Sequence, residues 1–90
     1  MERKYEIVKP ARAGSVESND ILVMITPSDE LIIEISSVVS AQYGEDIKTV
    51  IEDELKSLGV EKAHIKVEDK GALDFTIRAR VKACVIRGAA

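Results

Sequence analysis

ILVMITPSDELIIEI, residues 21–35, holds two short runs rich in isoleucine and valine on either side of a polar tetrapeptide. Residues 21–26 and 31–35 have the β-branched content typical of strands. The tetrapeptide from Pro27 to Glu30 has turn chemistry, because proline fixes φ at an early turn position. The stretch therefore predicts a β-hairpin.

A long amphipathic helix is predicted after this hairpin, because the apolar spacing lengthens to three and four residues. Gly59 can take the left-handed conformation that ends a helix. The predicted apolar face consists of Val39, Tyr43, Ile47, Val50, Ile51, Leu55 and Leu58.

Residues 63–82 alternate between apolar and polar positions on either side of Asp69-Lys70-Gly71, which predicts a second hairpin. Beyond Arg80 the sequence fits a short C-terminal helix ending at Gly88 equally well. The order strand, strand, helix, strand, strand predicts an α+β fold: a two-layer domain with an antiparallel sheet of about four strands and one long helix on one face. Residues 1–90 form a single domain, with residues 1–12 as a candidate flexible lead-in.

Composition excludes several classes of function. The 90 residues carry a net charge of −3, which gives no electrostatic reason to bind nucleic acid or an anionic membrane. One cysteine, Cys84, and one histidine, His64, form neither an internal disulfide nor a structural zinc site. No signal peptide or membrane-spanning run is recognised. The expectation is a cytoplasmic protein with no nucleic-acid partner, no membrane partner and no metal.

AGSVESND, residues 13–20, places Ser15 and Ser18 in a small, acidic run ahead of the first strand. A serine nucleophile needs a base, and His64 lies far along the chain, so no catalytic residue is predicted. Glu17 and Asp20 could ligate a cation, although loop carboxylates usually serve as solvating groups. Two interpretations stay open on these residues: a turn serine, or an exposed hydroxyl that another enzyme modifies.

Three strings resemble the acyl carrier (gamma) subunit family of citrate lyase: AGSVESND, ISSVVSAQYGEDI at residues 35–47 and DKGALDFTIRAR at residues 69–80. The resemblance spans nearly the whole chain and implies an acyl carrier domain. In that family a serine of the A-G-[ST]-x-E-S segment carries the prosthetic group through a phosphodiester, and the matching position here is Ser18. Ser15 falls where the family has serine or threonine.

What the resemblance implies is a non-catalytic subunit that carries covalently bound 2'-(5''-phosphoribosyl)-3'-dephospho-CoA, whose thiol holds acetyl and citryl groups while citrate is cleaved to acetate and oxaloacetate. The implied partners are an alpha acyltransferase subunit, a beta citryl lyase subunit and a prosthetic-group transferase. Two kinds of alternative stay open: the carrier of a citramalate lyase or malonate decarboxylase, and a small α+β interaction module without a covalent group.

Three further side chains are candidates for a role. Arg78 and Arg80 would share a strand face with Lys82 and could meet phosphates or an acidic partner, or could simply be solvated. Cys84 could be imagined as a second acyl-carrying thiol, but a cysteine among alanine and valine is typically a small buried residue.

Overall fold

The computed structural model describes residues 4–38 and 41–90, with residues 41–44 described by their backbone alone. Three strands precede the first helix, and a fourth strand separates the two helices. In chain order the elements are β1 (Ala11–Gly14), β2 (Ile21–Thr26), β3 (Leu31–Ser37), α1 (Ala41–Ser57), β4 (Ala63–Asp69) and α2 (Asp74–Ala89).

The four strands form one mixed sheet in the order β1-β2-β4-β3. β2 pairs antiparallel with β1 and with β4, whereas β3 runs parallel to β4. The predicted hairpin of residues 21–35 is therefore wrong, because β4 lies between its two strands, and the sheet is not purely antiparallel. β4 is an interior strand, as β2 is: it pairs along both edges, and its Ala63, Ile65 and Val67 are almost completely buried.

The long helix predicted after the strands is α1. Its apolar stripe packs into the core, and Gly59, just beyond it, has a φ of 71°, as a helix-ending glycine requires. The predictions for Val39 and for the side chain of Tyr43 fall outside the described residues. The buried members of the stripe are Ile47, Val50, Ile51, Leu55 and Leu58.

The second predicted hairpin is wrong, because its latter half is the helix α2. Asp69 to Gly71 connect β4 to this helix, and Gly71 has a φ of 94°. The apparent alternation began with Leu73 and Phe75, which are exposed, while the buried positions follow a helical period. Those positions are Ile77, Val81, Cys84, Val85 and Gly88.

Both helices pack on the same face of the sheet, which gives the two-layer α+β architecture that the sequence predicts. One core joins the helix stripes to the inward residues of all four strands. Before β1, Ile7 is buried in this core, and the N–H groups of Val8 and Lys9 donate to the Gly88 carbonyl at 2.9 and 3.2 Å. In the described part of the chain, neither helix is long and apolar enough to cross a membrane.

Candidate functional site

Ser18 lies in the connection between β1 and β2, at one end of the sheet, and is exposed. The Asp20 N–H donates to the Glu17 carbonyl at 3.1 Å, which closes a four-residue turn with Ser18 in its second position. Asn19, the third residue, has a φ of 66°, the positive value that a type II turn needs there. The turn therefore presents Ser18 on its outer side, and exposure of this irregular segment is confirmed.

Backbone contacts hold the turn against the connection between β4 and α2. The Asn19 N–H donates to the Lys70 carbonyl at 2.8 Å, and the Lys70 N–H donates to the Asp20 carbonyl at 2.9 Å. Gly14 permits the tight return of the chain, since a Cβ there would lie 1.8 Å from the Ile21 carbonyl oxygen. Ser18 therefore stands on a loop that is fixed at both ends.

The Asp20 carboxylate lies at the centre of a polar network behind this turn. The Ser15 hydroxyl donates to its Oδ2 at 2.7 Å, and the Ile21 N–H donates to its Oδ1 at 2.8 Å. The Arg80 guanidinium donates from Nε to Oδ1 at 3.1 Å and from Nη2 to Oδ2 at 3.2 Å. The Ser15 hydrogen bond, followed by those of Arg80 and Ile21, lowers the pKa of Asp20 to about 2.

This network distinguishes the two serines. The Ser15 hydroxyl donates to Asp20 and also accepts the Glu17 N–H at 3.2 Å, so it is engaged in holding the loop. Over residues 4–38 and 41–90, no hydrogen bond involves the Ser18 hydroxyl. Modification of Ser18 would therefore break no hydrogen bond of the described fold.

His64 lies too far from Ser18 to act as its base. It pairs across the sheet with Thr26 and hydrogen-bonds Glu34, near the end of the sheet opposite the turn. Asp69 lies five positions after His64 on β4, which corresponds to roughly 16 Å along the strand. The geometry agrees with a serine that is acted on by another protein's catalytic groups.

Arg78 and Arg80 do not share a face, because residues two apart on a helix point in nearly opposite directions. Arg78 lies 3.8 Å from Asp53 and 3.7 Å from Glu54 on α1, whereas Arg80 pairs with Asp20. The strand-based prediction of one basic face with Lys82 is therefore wrong. The role of Arg80 in fixing the Ser18 loop could not be read from sequence, since its partner lies 60 residues away.

Cys84 is fully buried between α2 and the sheet, with its Sγ 3.5 Å from the Ala11 and Val23 carbonyl oxygens. Burial raises the pKa of its thiol to about 11. The interpretation as a small core residue is confirmed, and a second acyl-carrying thiol at this position is excluded by lack of access.

A small hollow of about 170 Å³ lies beside the Ser18 turn, on the other side of the Lys70 connection. Asp46, Asp69 and Asp74 line it together with Gly71, Ala72 and Ile77. The buried Asp69 carboxylate accepts the Ser37 hydroxyl at 2.7 Å and the Ala72 N–H at 3.0 Å, so it organises the connection. Across the described residues, no group of three or more His, Cys, Asp or Glu side chains has a metal-binding arrangement.

The sequence of this chain is similar to those of known acyl carrier proteins. The family model described as "Malonate decarboxylase delta subunit (MdcD)" matches residues 8–88. The citrate lyase acyl carrier protein of Escherichia fergusonii is 48% identical over 86 residues, which is 93% of this chain and 89% of the relative. That of Pectobacterium atrosepticum is 51% identical over 83 residues, which is 91% of this chain and 86% of the relative.

A solved structure shares the fold at lower sequence identity. A chain in the crystal structure of a Pseudomonas malonate decarboxylase hetero-tetramer in complex with malonate superposes with a TM-score of 0.80 and 19% identity. The superposition covers 97% of this chain and 91% of that chain. The mixed sheet with two helices on one face is therefore an architecture found in a solved protein.

Proposed function

The chain belongs to the family of citrate lyase acyl carrier proteins, and from that premise we propose that it is the acyl carrier (gamma) subunit of citrate lyase. It carries 2'-(5''-phosphoribosyl)-3'-dephospho-CoA on Ser18 through a phosphodiester. The bound group supplies a thiol that holds acetyl and citryl groups. The protein is a non-catalytic subunit, and citrate is cleaved to acetate and oxaloacetate at sites on its partners.

One observation supports this assignment most directly: the exposed Ser18 hydroxyl makes no hydrogen bond in the described structure, whereas Ser15 is committed to Asp20. The surroundings fit a bulky attached group, since Ser18 points away from the core at the outer side of a turn. In attachment, Ser18 Oγ forms a bond to the phosphorus that links the group to the polyphosphate of an activated precursor. The P–O bond from that phosphorus to the rest of the polyphosphate breaks, the polyphosphate leaves as an anion, and the hydroxyl proton passes to a base of the transferase. Ser18 itself needs no neighbouring base.

The fold holds the Ser18 loop in a fixed position on the surface. Gly14, the Asn19–Lys70 backbone pair and the Asp20–Arg80 ion pair fix the loop from which the group extends. A tethered thiol meets each partner at a high effective concentration, so the two acyl-transfer encounters become intramolecular within the complex. We propose the alpha acyltransferase subunit, the beta citryl lyase subunit and the prosthetic-group transferase as partners. The unpaired, buried Cys84 agrees with a reducing cytoplasm.

A second candidate is the carrier of a malonate decarboxylase, favoured by the description of the matching family model and by the shared fold. A citramalate lyase carrier would use the same site. A carrier does not form the substrate pocket, so these functions differ in the partner subunits. Reconstitution with citrate lyase alpha and beta subunits therefore tests the first proposal against the other two.

The decisive experiment compares Ser18→Ala with Ser15→Ala. Each variant is incubated with the transferase and the activated precursor, intact mass is recorded, and citrate lyase activity is measured after adding alpha and beta subunits. We expect Ser18→Ala to gain no mass and to support no activity, while Ser15→Ala is loaded and supports turnover below its unfolding temperature. An unchanged mass in the wild type would contradict a covalent carrier and favour an interaction module. Loading of Ser18→Ala would mean that another residue carries the group.

A further inference from the structure

Large apolar side chains are concentrated at the end of the sheet where Ser18 lies. Of the seven exposed large hydrophobic residues in the described part of the chain, four are at this end: Val16 at 52%, Val38 at 64%, Leu73 at 62% and Phe75 at 71% exposure. We call these four residues the apolar patch. Single exposed apolar residues are normal, but a concentration of them marks an interaction surface.

Topology places the four residues around the Ser18 turn. Val16 is in the same connection as Ser18, and the Val38 N–H donates to the Asp69 carbonyl at 3.1 Å. Leu73 and Phe75 begin α2, directly after the Lys70 connection that holds Asn19. β1 and β3 are three strand spacings apart, about 14 Å, so one partner surface can span this end of the sheet.

Internal packing does not explain the exposure of Leu73 and Phe75. The buried stripe of α2 begins at Ile77, and neither residue belongs to it. The Leu73 carbonyl accepts the Thr76 and Ile77 N–H groups at 2.9 and 3.0 Å at the start of the helix. This role belongs to the backbone and does not involve the Leu73 side chain. The two side chains are therefore available to a partner.

Charge around the apolar patch is mainly negative. Glu17, Asp46 and Asp74 are exposed at this end of the sheet. Asp46 and Asp74 line the hollow beside the turn. Of the cations at this end, Arg80 is paired with Asp20, and Lys70 is half-buried in the connection after β4. A complementary protein surface would have an apolar centre and basic side chains around it.

The partner proteins that could bind the apolar patch differ in how close they must come to Ser18. The enzyme that attaches the prosthetic group must bring its reacting atoms to bonding distance of Ser18 Oγ, whereas the acyl-transfer subunits need only meet the thiol at the far end of the group. A typical protein interface buries about 800 Å² on each partner, a footprint of roughly 16 Å radius. A footprint of that size centred on Ser18 would extend across the end of the sheet at which the apolar patch lies, since β1 and β3 are about 14 Å apart there.

We propose that the apolar patch, with its acidic surround, is the docking surface for the prosthetic-group transferase. The proposal rests on the function proposed above and adds to it the surface by which one partner recognises the carrier. It predicts that Phe75 and Leu73 determine how tightly unmodified carrier binds this enzyme, and that they have little effect on the chemistry at Ser18.

The test measures initial loading rates by intact mass, with the purified transferase and activated precursor, for wild type and Phe75→Ser. We expect KM for the carrier to rise about tenfold, as truncation of an aromatic anchor typically produces, with kcat within about twofold. Asp74→Lys should also raise KM, and added salt should weaken wild-type binding. Val8→Ser is the matched control, because Val8 is 59% exposed beside the Gly88 end of α2, and it should load as wild type does.

A competition experiment keeps binding separate from loading. Ser18→Ala carrier should inhibit loading of wild type competitively, and the double variant Ser18→Ala, Phe75→Ser should inhibit at least about tenfold less well. If wild type is loaded at Ser18 and Phe75→Ser has the same KM as wild type, the docking proposal is refuted while the proposed function stands. Failure of wild type to load at all would instead overturn the proposed function.

Two further results would assign the apolar patch to another occupant. If Phe75→Ser is loaded normally but no longer supports citrate lyase activity with the alpha and beta subunits, the patch binds one of those subunits. If wild type is a dimer by sedimentation and Phe75→Ser is a monomer, the patch binds a second copy of the chain. Either result refutes the proposal.

Discussion

Replacing Ser15 by alanine is expected to destabilise the carrier, even though this serine is not the attachment point. The Ser15 hydroxyl donates a 2.7 Å hydrogen bond to the Asp20 carboxylate and is the largest cause of its lowered pKa. Hydrogen bonds to a charged group contribute about 1.5–3 kcal/mol. Asp20 keeps donors from Arg80 and Ile21 in the variant, so the loss should fall at the lower end of that range.

The pKa of Asp20 gives an independent magnitude. A fall from 3.8 to about 2 corresponds to about 2 kcal/mol in total. Solvent screening reduces this to about 1–2 kcal/mol, because the Asp20 and Arg80 side chains are 16% and 43% exposed. The Ser15 hydrogen bond is the largest of the several causes of this pKa shift. We therefore expect Ser15→Ala to lower the free energy of unfolding by about 1 kcal/mol at pH 7, or Tm by about 4–8 °C.

The effect should depend on pH in a defined direction. The folded-state pKa of Asp20 lies below its unfolded value of 3.8, so the stabilisation is complete above about pH 5 and is lost as the pH falls through about 2. The difference between wild type and Ser15→Ala should therefore shrink between pH 5 and pH 2. Urea denaturation followed by circular dichroism measures it at each pH.

Two controls isolate the hydrogen bond. Ser18→Ala, an exposed substitution in the same loop, should stay within about 0.5 kcal/mol of wild type. In an Asp20→Asn background, Ser15→Ala should cost clearly less than it does alone, because the charged acceptor is gone. A loss below about 0.5 kcal/mol at pH 7, or a loss that is the same at pH 7 and pH 2, would refute the role assigned to this network.

Three other substitutions or treatments test the core and the loop. Leu55→Ala should cost about 2–5 kcal/mol in urea denaturation, because Leu55 is 1% exposed; a loss near 0.5 kcal/mol would mean that α1 packs differently. Gly14→Ala should destabilise by more than about 3 kcal/mol or prevent folding, since its Cβ would overlap the Ile21 carbonyl oxygen; a stable variant would show that the β1–β2 return is looser than described. Cys84 should resist iodoacetamide at pH 8 in the native protein and react in urea, because its thiol is buried with a pKa of about 11; rapid native alkylation, read by mass, would contradict this burial.

Much of the local structure could be predicted from the sequence. The helical spacing from Ile47 to Leu58 and the glycine after it define α1, because an amphipathic stripe has one stable way to bury itself. The strand runs at 21–26 and 31–35 were also located correctly. Exposure of Ser18 followed from the short, polar, glycine-containing segment around it, since such a segment cannot be buried without leaving backbone groups unpaired.

The prediction from sequence was wrong where the apolar residues fit both the period of a strand and the period of a helix. Residues 77–88 carry a helical stripe, but Leu73 and Phe75 ahead of it supply apolar residues at alternate positions and imitate a strand. These two side chains are exposed, so their hydrophobicity does not report on the core. A pattern method assumes that apolar residues face inward, and it fails where a surface is apolar for another reason, which here we propose to be partner binding.

Only the tertiary structure decided which strands are neighbours and what holds the Ser18 turn in place. The apolar runs of β2 and β3 identify each of them as a strand, but both edges of a strand carry the same backbone groups, so nothing local shows that β4 enters between them. The same holds for Asp20 and Arg80, which are 60 residues apart and meet because α2 crosses β1 and β2. The sequence by itself determined β2, β3, α1 and β4, the family and the exposed serine. Strand order and the ion pair behind that serine depend on long-range packing, which no short-range pattern encodes.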